Sequence, residues 1–297
     1  MLLSHSTHEK YKNYQLILLV NLSIITWLVS IIYPDTFDPL FQFILLLVSV
    51  SIIGIPHGYF DFLIARKLFS LHKHWLLKFI VIYTLISLLY LMMWVYIPQF
   101  SLVIFLLLAI YHFGMEDTED IPCHNFLAIL LIGSVPVASP ILFQTEEVFV
   151  LFEILINREI TQPSIHLIYI VSYLTAVFYL LIKYSLRSIP LYILLFLNFI
   201  FLPPILSFVL YFCFHHSIRH YLSSLSDEKI ITFNFSIVRA TIFFIFLTIL
   251  FSFFMISFML HVSSFSFEEA VVKYIFITLA CLTLPHLLLN IFYHRNT

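Results

Sequence analysis

Three histidines and an arginine lie close together in an otherwise apolar stretch that runs from Phe212 to His220. Within it, His216 and His220 are four residues apart, a spacing that places both side chains on one face of a helix. Two imidazoles in that arrangement suit a single metal ion. Polar groups are costly in hydrocarbon and are rarely kept there without a function. The alternative is a polar helix end at the level of lipid headgroups, where His and Arg are tolerated.

Three further histidines occur singly, each in its own apolar segment. His57 has Asp61 four residues on, and His112 has Glu116 at the same offset. A metal-bound histidine usually donates its other ring N–H to a carboxylate or carbonyl. Each carboxylate is therefore predicted to orient the histidine that precedes it, unless it merely marks a helix end entering water. The third, His286, could be a ligand, a supporting donor or a substrate contact.

Other residues near these histidines also carry information. Gly54, Gly58 and Gly114 are three of only four glycines in the chain, and all flank His57 or His112. Glycine allows backbones or ligands to approach closely. Aromatic residues make up 18% of the chain, including 34 Phe and 17 Tyr. Such a surplus fits a cavity for a long apolar or conjugated ligand, because aromatic faces pack well on flat polyenes.

The composition is that of an integral membrane protein. Of 297 residues, 62% are hydrophobic and only 10% are charged, whereas about a quarter of the residues of a soluble domain are charged. The formal net charge of -2 and the lack of a basic run exclude a nucleic-acid partner. The three cysteines are an odd number without paired spacing, so no disulfide framework is implied.

The apolar runs predict an all-α, polytopic bundle with eight or nine transmembrane spans and a histidine-lined metal site inside it. The 190–222 run contains Pro203-Pro204, which predicts either one strongly bent helix or a short segment followed by a helix from about 204 to 224. The predicted spans cover residues 15–33, 40–65, 76–97, 100–118, 125–143, 165–184, 190–222, 236–261 and 270–293.

We expect one transmembrane domain, residues 15–293, between a polar N-terminal segment, 1–14, and a short C-terminal tail, 294–297. The first apolar run lacks a small-residue cleavage signal and is interpreted as a retained helix. Basic residues concentrate in the 66–78 and 183–187 loops, which predicts that these loops and the N-terminus lie in the cytoplasm.

The ligand type narrows the choice of metal. Imidazole suits Zn, Cu, Fe and Ni. The sequence contains no His-Glu-x-x-His, so an intramembrane zinc protease would lack its general base. Iron with open positions would bind O2, and an apolar cavity would bring an apolar substrate to it. The residues alone do not select one of these metals.

Several motifs occur together and in order along nearly the whole chain. They are Pro56-His57-Gly58 with Asp61, Tyr111-His112-Phe113-Gly114 followed by acidic residues, His216-Ser217-x-Arg219-His220, and Leu284-Pro285-His286. This set resembles the Brp/Blh family of bacterial and archaeal membrane β-carotene 15,15′-dioxygenases. Members typically have Pro-His-Gly-Ala-Leu-Asp at the first motif, where this chain carries the bulkier pair Tyr59-Phe60.

The resemblance implies an iron(II)-dependent oxygenase that cleaves the central double bond of β-carotene with O2 to give two molecules of retinal. It also implies a multi-pass protein of the cell membrane and a functional link to a retinal-binding rhodopsin. The family's iron-binding histidines match His57, His112, His216 and His220. We expect Asp61, Glu116 and His286 to support these ligands, with His286 as a reserve ligand.

Three other functions compete with this interpretation. A di-iron desaturase or hydroxylase needs several histidine-rich boxes, whereas here only residues 215–220 resemble one. A transporter could use the histidines and carboxylates as an ion or proton pathway. Finally, two of the histidines could ligate a haem.

Overall fold

The computed structural model describes residues 5–54, 58–118, 121, 125–226, 235–263 and 265–296, and these residues contain no β-strand. Short 3-10 turns and two π-helical segments, Val50–Gly54 and Leu210–Ser217, connect or interrupt the α-helices. The α-helices, in chain order, are α1 (His5–Ile32), α2 (Pro39–Ser49), α3 (Tyr59–Phe69), α4 (Trp75–Tyr96), α5 (Pro98–Asp117), α6 (Phe126–Gly133), α7 (Val135–Phe143), α8 (Thr145–Ile156), α9 (Leu167–Tyr184), α10 (Ile189–Phe201), α11 (Pro204–Val209), α12 (Ile218–Ser226), α13 (Phe235–Val262) and α14 (Phe267–Asn296).

Within the described residues, seven helices are long and apolar enough to cross a membrane, or eight if the bent pair α6–α7 counts as one span. This agrees with the lower end of the predicted eight or nine. The predicted 190–222 span is absent, because α10 ends at Phe201 and a new helical segment begins at Pro204. Proline lacks the backbone N–H that would continue the helix. The short-segment alternative is therefore confirmed, and the new segment runs through α11, the second π segment and α12 to Ser226.

The two π-helical segments pack against each other in the interior. A Cβ on Gly54, the last residue of the first segment, would lie 2.7 Å from a ring carbon of Phe212 in the second. Ser51 and Ser252 of α13 share a hydrogen bond of 2.9 Å, and Thr248 donates to the Ser51 carbonyl. Because lipid tails are as apolar as the helix surfaces, the hydrophobic effect does little to bring helices together in a bilayer. Interhelical hydrogen bonds and close packing of this kind hold them together instead.

The hairpin between α5 and α6 depends on glycine. A Cβ on Gly114 would lie 2.0 Å from the carbonyl oxygen of Ile129, and one on Gly133 would lie 1.9 Å from that of Ile110. The two helices therefore touch backbone to backbone, as small-residue interfaces in membranes allow. The expected role of Gly54 and Gly114 in close packing is confirmed. Gly58 differs, because within the described part of the chain no atom from another segment lies within 4 Å of the position its Cβ would take.

These contacts predict that Gly114→Ala destabilises the folded bundle. The added methyl group meets a backbone carbonyl that cannot move aside, and overpacking of this kind costs about 1–3 kcal/mol. Thermal unfolding of the detergent-solubilised protein measures the effect. Gly58→Ala is the matched control, because its φ of -63° suits alanine and its surroundings are open. Equal unfolding temperatures for the two variants would show that the α5–α6 contact is not close.

Candidate functional site

Four of the singled-out histidines meet inside the bundle, although they come from distant parts of the chain. His112 lies in the last two turns of α5, His216 is the last but one residue of the second π segment, His220 lies in α12 and His286 lies in α14. All four side chains are buried. Neighbouring ring centres are 4.9 Å (His112–His216), 5.0 Å (His112–His286), 5.5 Å (His220–His286) and 6.5 Å (His216–His220) apart.

The closest approach joins His112 and His216, whose Nε2 atoms are 3.1 Å apart. One of these nitrogens donates a proton to the other when no ion lies between them. Two imidazoles that bind one ion at about 2.1 Å, with the bonds at right angles, hold their nitrogens about 3 Å apart. The pair is therefore already at the separation of two adjacent ligands of one metal ion.

The sequence predicts an α-helix around His216, whereas the structure has a π-helix there, with more residues in each turn. In the π-helical segment, the Tyr211 ring stacks at 6.3 Å on that of His216, five residues later, with an angle of 21° between the rings. In an α-helix these two side chains would point about 140° apart. His216 and His220 still share a face, as predicted, with their rings 16° from parallel.

His215 faces two other helices. Its Nε2 lies 3.6 Å from Asp117 of α5, and its Nδ1 lies 3.5 Å from Gln15 of α1. Tyr211 donates to the other oxygen of Asp117 at 2.8 Å. Residues 15, 117, 211 and 215 thus form a polar layer beside the four-histidine cluster, and it joins α1, α5 and the second π segment.

Both carboxylates contact a histidine, but on a different helix from the one that the sequence offset predicts. Glu116 Oε1 lies 3.1 Å from Nδ1 of His220, whereas it was expected to orient His112. Asp61 Oδ1 lies 2.6 Å from Nδ1 of His286. The offset of four indicated which residues belong to the site, and the packing of α5 on α12 and α3 on α14 decides which of them pair.

Asp61 is the centre of a hydrogen-bonded chain across three helices. Tyr83 of α4 donates to its Oδ2 at 2.7 Å. On the other side of His286, the Asn290 side-chain nitrogen lies 3.0 Å from Nε2. If Nδ1–H donates to the carboxylate, Nε2 accepts from the amide, and both ring nitrogens are used. The sequence singled out Asp61 and His286, but nothing in it indicated that Tyr83 belongs to this hydrogen-bonded chain.

A cavity opens directly from the histidines; we call it the first cavity. Its volume is about 1240 Å³ with its opening included, and His112, His286, Asp61 and Tyr83 lie among its walls. The rest of the lining is almost entirely apolar, from α5, α7, α8, α11, α14 and the second π segment, and includes six phenylalanines: Phe105, Phe113, Phe152, Phe208, Phe212 and Phe276. Apolar walls with a few convergent polar groups are typical of ligand sites.

The unusual pair Tyr59-Phe60 does not line this cavity. Phe60 is fully buried and packs edge-on against the rings of His220 and Tyr221, 6.2 and 5.2 Å away. The Phe60 side chain therefore packs against His220 outside the lining of the first cavity.

The predicted four-histidine set is only partly in view, because His57 lies outside the described residues. Gly54 and Gly58, on either side of it, are described, and Gly58 lines the first cavity beside His112. Among the residues that the structure describes, no group of three or more His, Cys, Asp or Glu side chains has the geometry of a complete metal site. The Nε2 atoms of His112 and His216 nevertheless fit two adjacent positions on one ion.

Comparison with known proteins identifies the family. No solved structure matches the chain significantly. A β-carotene 15,15′-dioxygenase from an uncultured marine bacterium (66A03) is 33% identical over 265 residues, which cover 84% of this chain and 93% of that protein. The family profile described as beta-carotene 15,15′-dioxygenase matches residues 48–294, which include every motif discussed above. The chain therefore belongs to the β-carotene 15,15′-dioxygenase family and is a carotenoid-cleaving dioxygenase.

Proposed function

We propose that this protein is an iron(II)-dependent enzyme that cleaves the central 15,15′ double bond of β-carotene with O2. The C=C bond breaks, each carbon gains one oxygen atom of O2, and two molecules of retinal form. The observation that carries this proposal is the approach of His112 Nε2 to His216 Nε2, 3.1 Å apart, beside an aromatic-lined cavity.

The iron ligands that we propose are His57, His112, His216 and His220. The Glu116 carboxylate lies against Nδ1 of His220 and fixes the ring's orientation, so Nε2 would be the nitrogen that binds the metal. Four neutral imidazoles leave positions on an iron ion open. Iron bound there would activate O2. The apolar side chains that line the cavity have no group that could do so.

We assign His286 a supporting role in place of the reserve-ligand role that the sequence left open. Its two nitrogens lie against Asp61 and Asn290, while its ring meets that of His112 edge-on at 5.0 Å. The ring therefore fixes the position of His112 and forms part of the cavity wall. Burial keeps water away from both rings.

The first cavity suits a polyene. Phenylalanine faces pack on a flat conjugated chain and stabilise positive charge that develops on it. Because several helices are long enough to span a bilayer, we propose that the substrate comes from the lipid phase of the cell membrane. Retinal made there would be available to a retinal-binding rhodopsin in the same membrane.

Replacing any one of the four proposed ligands, His57, His112, His216 or His220, by alanine should abolish retinal formation. Loss of one imidazole removes a quarter of the metal's proposed protein ligands, and the alanine side chain has no donor atom to replace it. Retinal is measured by chromatography of extracts from carotenoid-producing cells, together with iron per purified chain.

His261→Ala is the control for these variants, because His261 is exposed at the end of α13. It should bleach the carotenoid as the unchanged protein does. A full retinal yield from His216→Ala would exclude His216 as a required ligand, and unchanged protein without bound iron would contradict the proposed cofactor.

Glu116→Gln tests the cross-helix contact with His220. The amide keeps the shape but loses the negative charge that fixes the imidazole, and outer contacts of this kind are typically worth 10–100-fold in metal affinity or activity. We expect a drop of about that size in iron affinity, measured by competition with a graded series of chelators. Asp117→Asn is the control, since the neighbouring carboxylate faces Tyr211 and His215, neither of which is a proposed ligand. If both variants retain iron equally well, Glu116 does not orient a ligand.

A further inference from the structure

The first cavity has the histidines at one end only. Its lining on α14 runs from Phe276 to His286, and its lining on α5 runs from Leu102 to Phe113. At 1.5 Å per residue, each stretch is roughly 15 Å long. On both helices the histidine lies in the last turn of the lining. The cavity therefore extends away from the proposed metal position in one direction along the bundle.

A symmetrical substrate needs space in two directions. Cleavage at the central bond places that bond beside the histidines, so two equal halves, each with a ring at its end, must lie on opposite sides of it. The first cavity extends to one side of the histidines and so offers space for one half. The other half must lie beyond His286, towards the C-terminal end of α14.

An apolar groove begins at that point; we call it the second groove. On α14 it is lined by Pro285, Leu288, Leu289 and Phe292, so it starts where the first cavity ends. Its volume is about 1010 Å³ with its opening included. The remaining lining belongs to the α3–α4 hairpin: Phe69, His72, Trp75, Lys78, Phe79, Ile82, Tyr83 and Ile86.

Tyr83 lines both spaces. Its hydroxyl is held by Asp61, beside His286, so its ring is the partition between the first cavity and the second groove. The groove is open on its outer side, where Leu288 is 48% exposed and Phe292 is 46% exposed. In a spanning bundle these residues face hydrocarbon.

We propose that the second groove binds the second half of the carotenoid, with the polyene passing beside the Tyr83 ring and the terminal ring among Trp75, Phe79 and Phe292. The occupant is an apolar, ring-ended polyene half. This inference rests on the proposed function and adds a binding site to it. The aromatic residues suit a cyclic hydrocarbon end, and the polar rim of His72 and Lys78 marks where the groove reaches the end of the bundle.

Filling the groove tests the proposal. Ile82→Trp and Leu288→Trp each add bulk to a half-exposed groove wall, so neither buries a polar group or crowds the core. Leu85→Trp is the matched control, because Leu85 is 54% exposed on α4, the helix of Ile82, and lines neither space.

Two substrates are compared with each purified, iron-loaded protein. One is β-carotene; the other is β-apo-8′-carotenal, which keeps one ring-bearing half and has a short aldehyde-ended chain as the other. Its cleavage with O2 gives one retinal and one short dialdehyde.

We expect each groove variant to cleave β-carotene at least about tenfold more slowly than the Leu85→Trp protein, a typical effect of misfit in an apolar site. Cleavage of β-apo-8′-carotenal should remain within about twofold of that control, because its short half does not reach the filled region. Bound iron should be the same in all three proteins.

Three results would overturn the proposal. Groove variants that cleave β-carotene at the control rate would show that the groove is empty or holds lipid during cleavage. Equal loss of both substrates would make the groove a passage that every substrate crosses. Loss of bound iron would make the effect structural. Failure of the unchanged protein to cleave either substrate would instead contradict the proposed function, which keeps the two failures distinct.

Discussion

The cost of placing polar groups in a hydrocarbon interior governs this structure. Imidazoles and carboxylates buried among leucine and phenylalanine are stable only when each finds a partner. Asp61 meets both His286 and Tyr83, Glu116 meets His220, and Asp117 meets Tyr211. Each of these contacts joins two helices. The groups that make the chemistry possible are therefore also the groups that fix how α3, α4, α5, α12 and α14 stand relative to one another.

The glycine contacts complement these polar pairs. Gly114 follows His112 by two residues, and its lack of a side chain allows α6 to lie directly against the part of α5 that carries the histidine. Gly54 similarly allows Phe212 to approach the first π segment. Lys273 has a comparable role away from the site. Its ammonium group donates to the Ile154 carbonyl and to Asn157 at the end of α8, and so joins α14 to α8.

Much of the fold and the membership of the site could be predicted from the sequence, because hydrophobic run length and the rarity of polar residues in such runs are local properties. The helix break at Pro203-Pro204 could also be predicted, because the effect of proline on a helix is local.

Which carboxylate pairs with which histidine could not be predicted in this way. Glu116 is equally well spaced to face His112 or to reach a neighbouring helix, and only the packing of α5 on α12 decides between them. Tyr83 was missed because a single tyrosine in a long apolar helix resembles many others. The metal and its full ligand set remain predictions, since His57 lies outside the described residues.

The π-helical segment Leu210–Ser217 has one further consequence. Such a segment arises when one residue is inserted into an α-helix and the additional length is absorbed locally as a wider turn. Because the wider turn absorbs the extra residue, the segments on either side keep the faces that they would present in an uninterrupted α-helix, whereas the same residues wound entirely as α-helix would differ in phase by about 100°. Two adjacent histidines stand at the end of this turn, one facing the cluster and the other facing α1. Rewinding this turn as α-helix at unchanged sequence would therefore rotate α12, with His220, by about that angle relative to α11, so the width of a single helical turn decides whether the His220 ring reaches the other histidines.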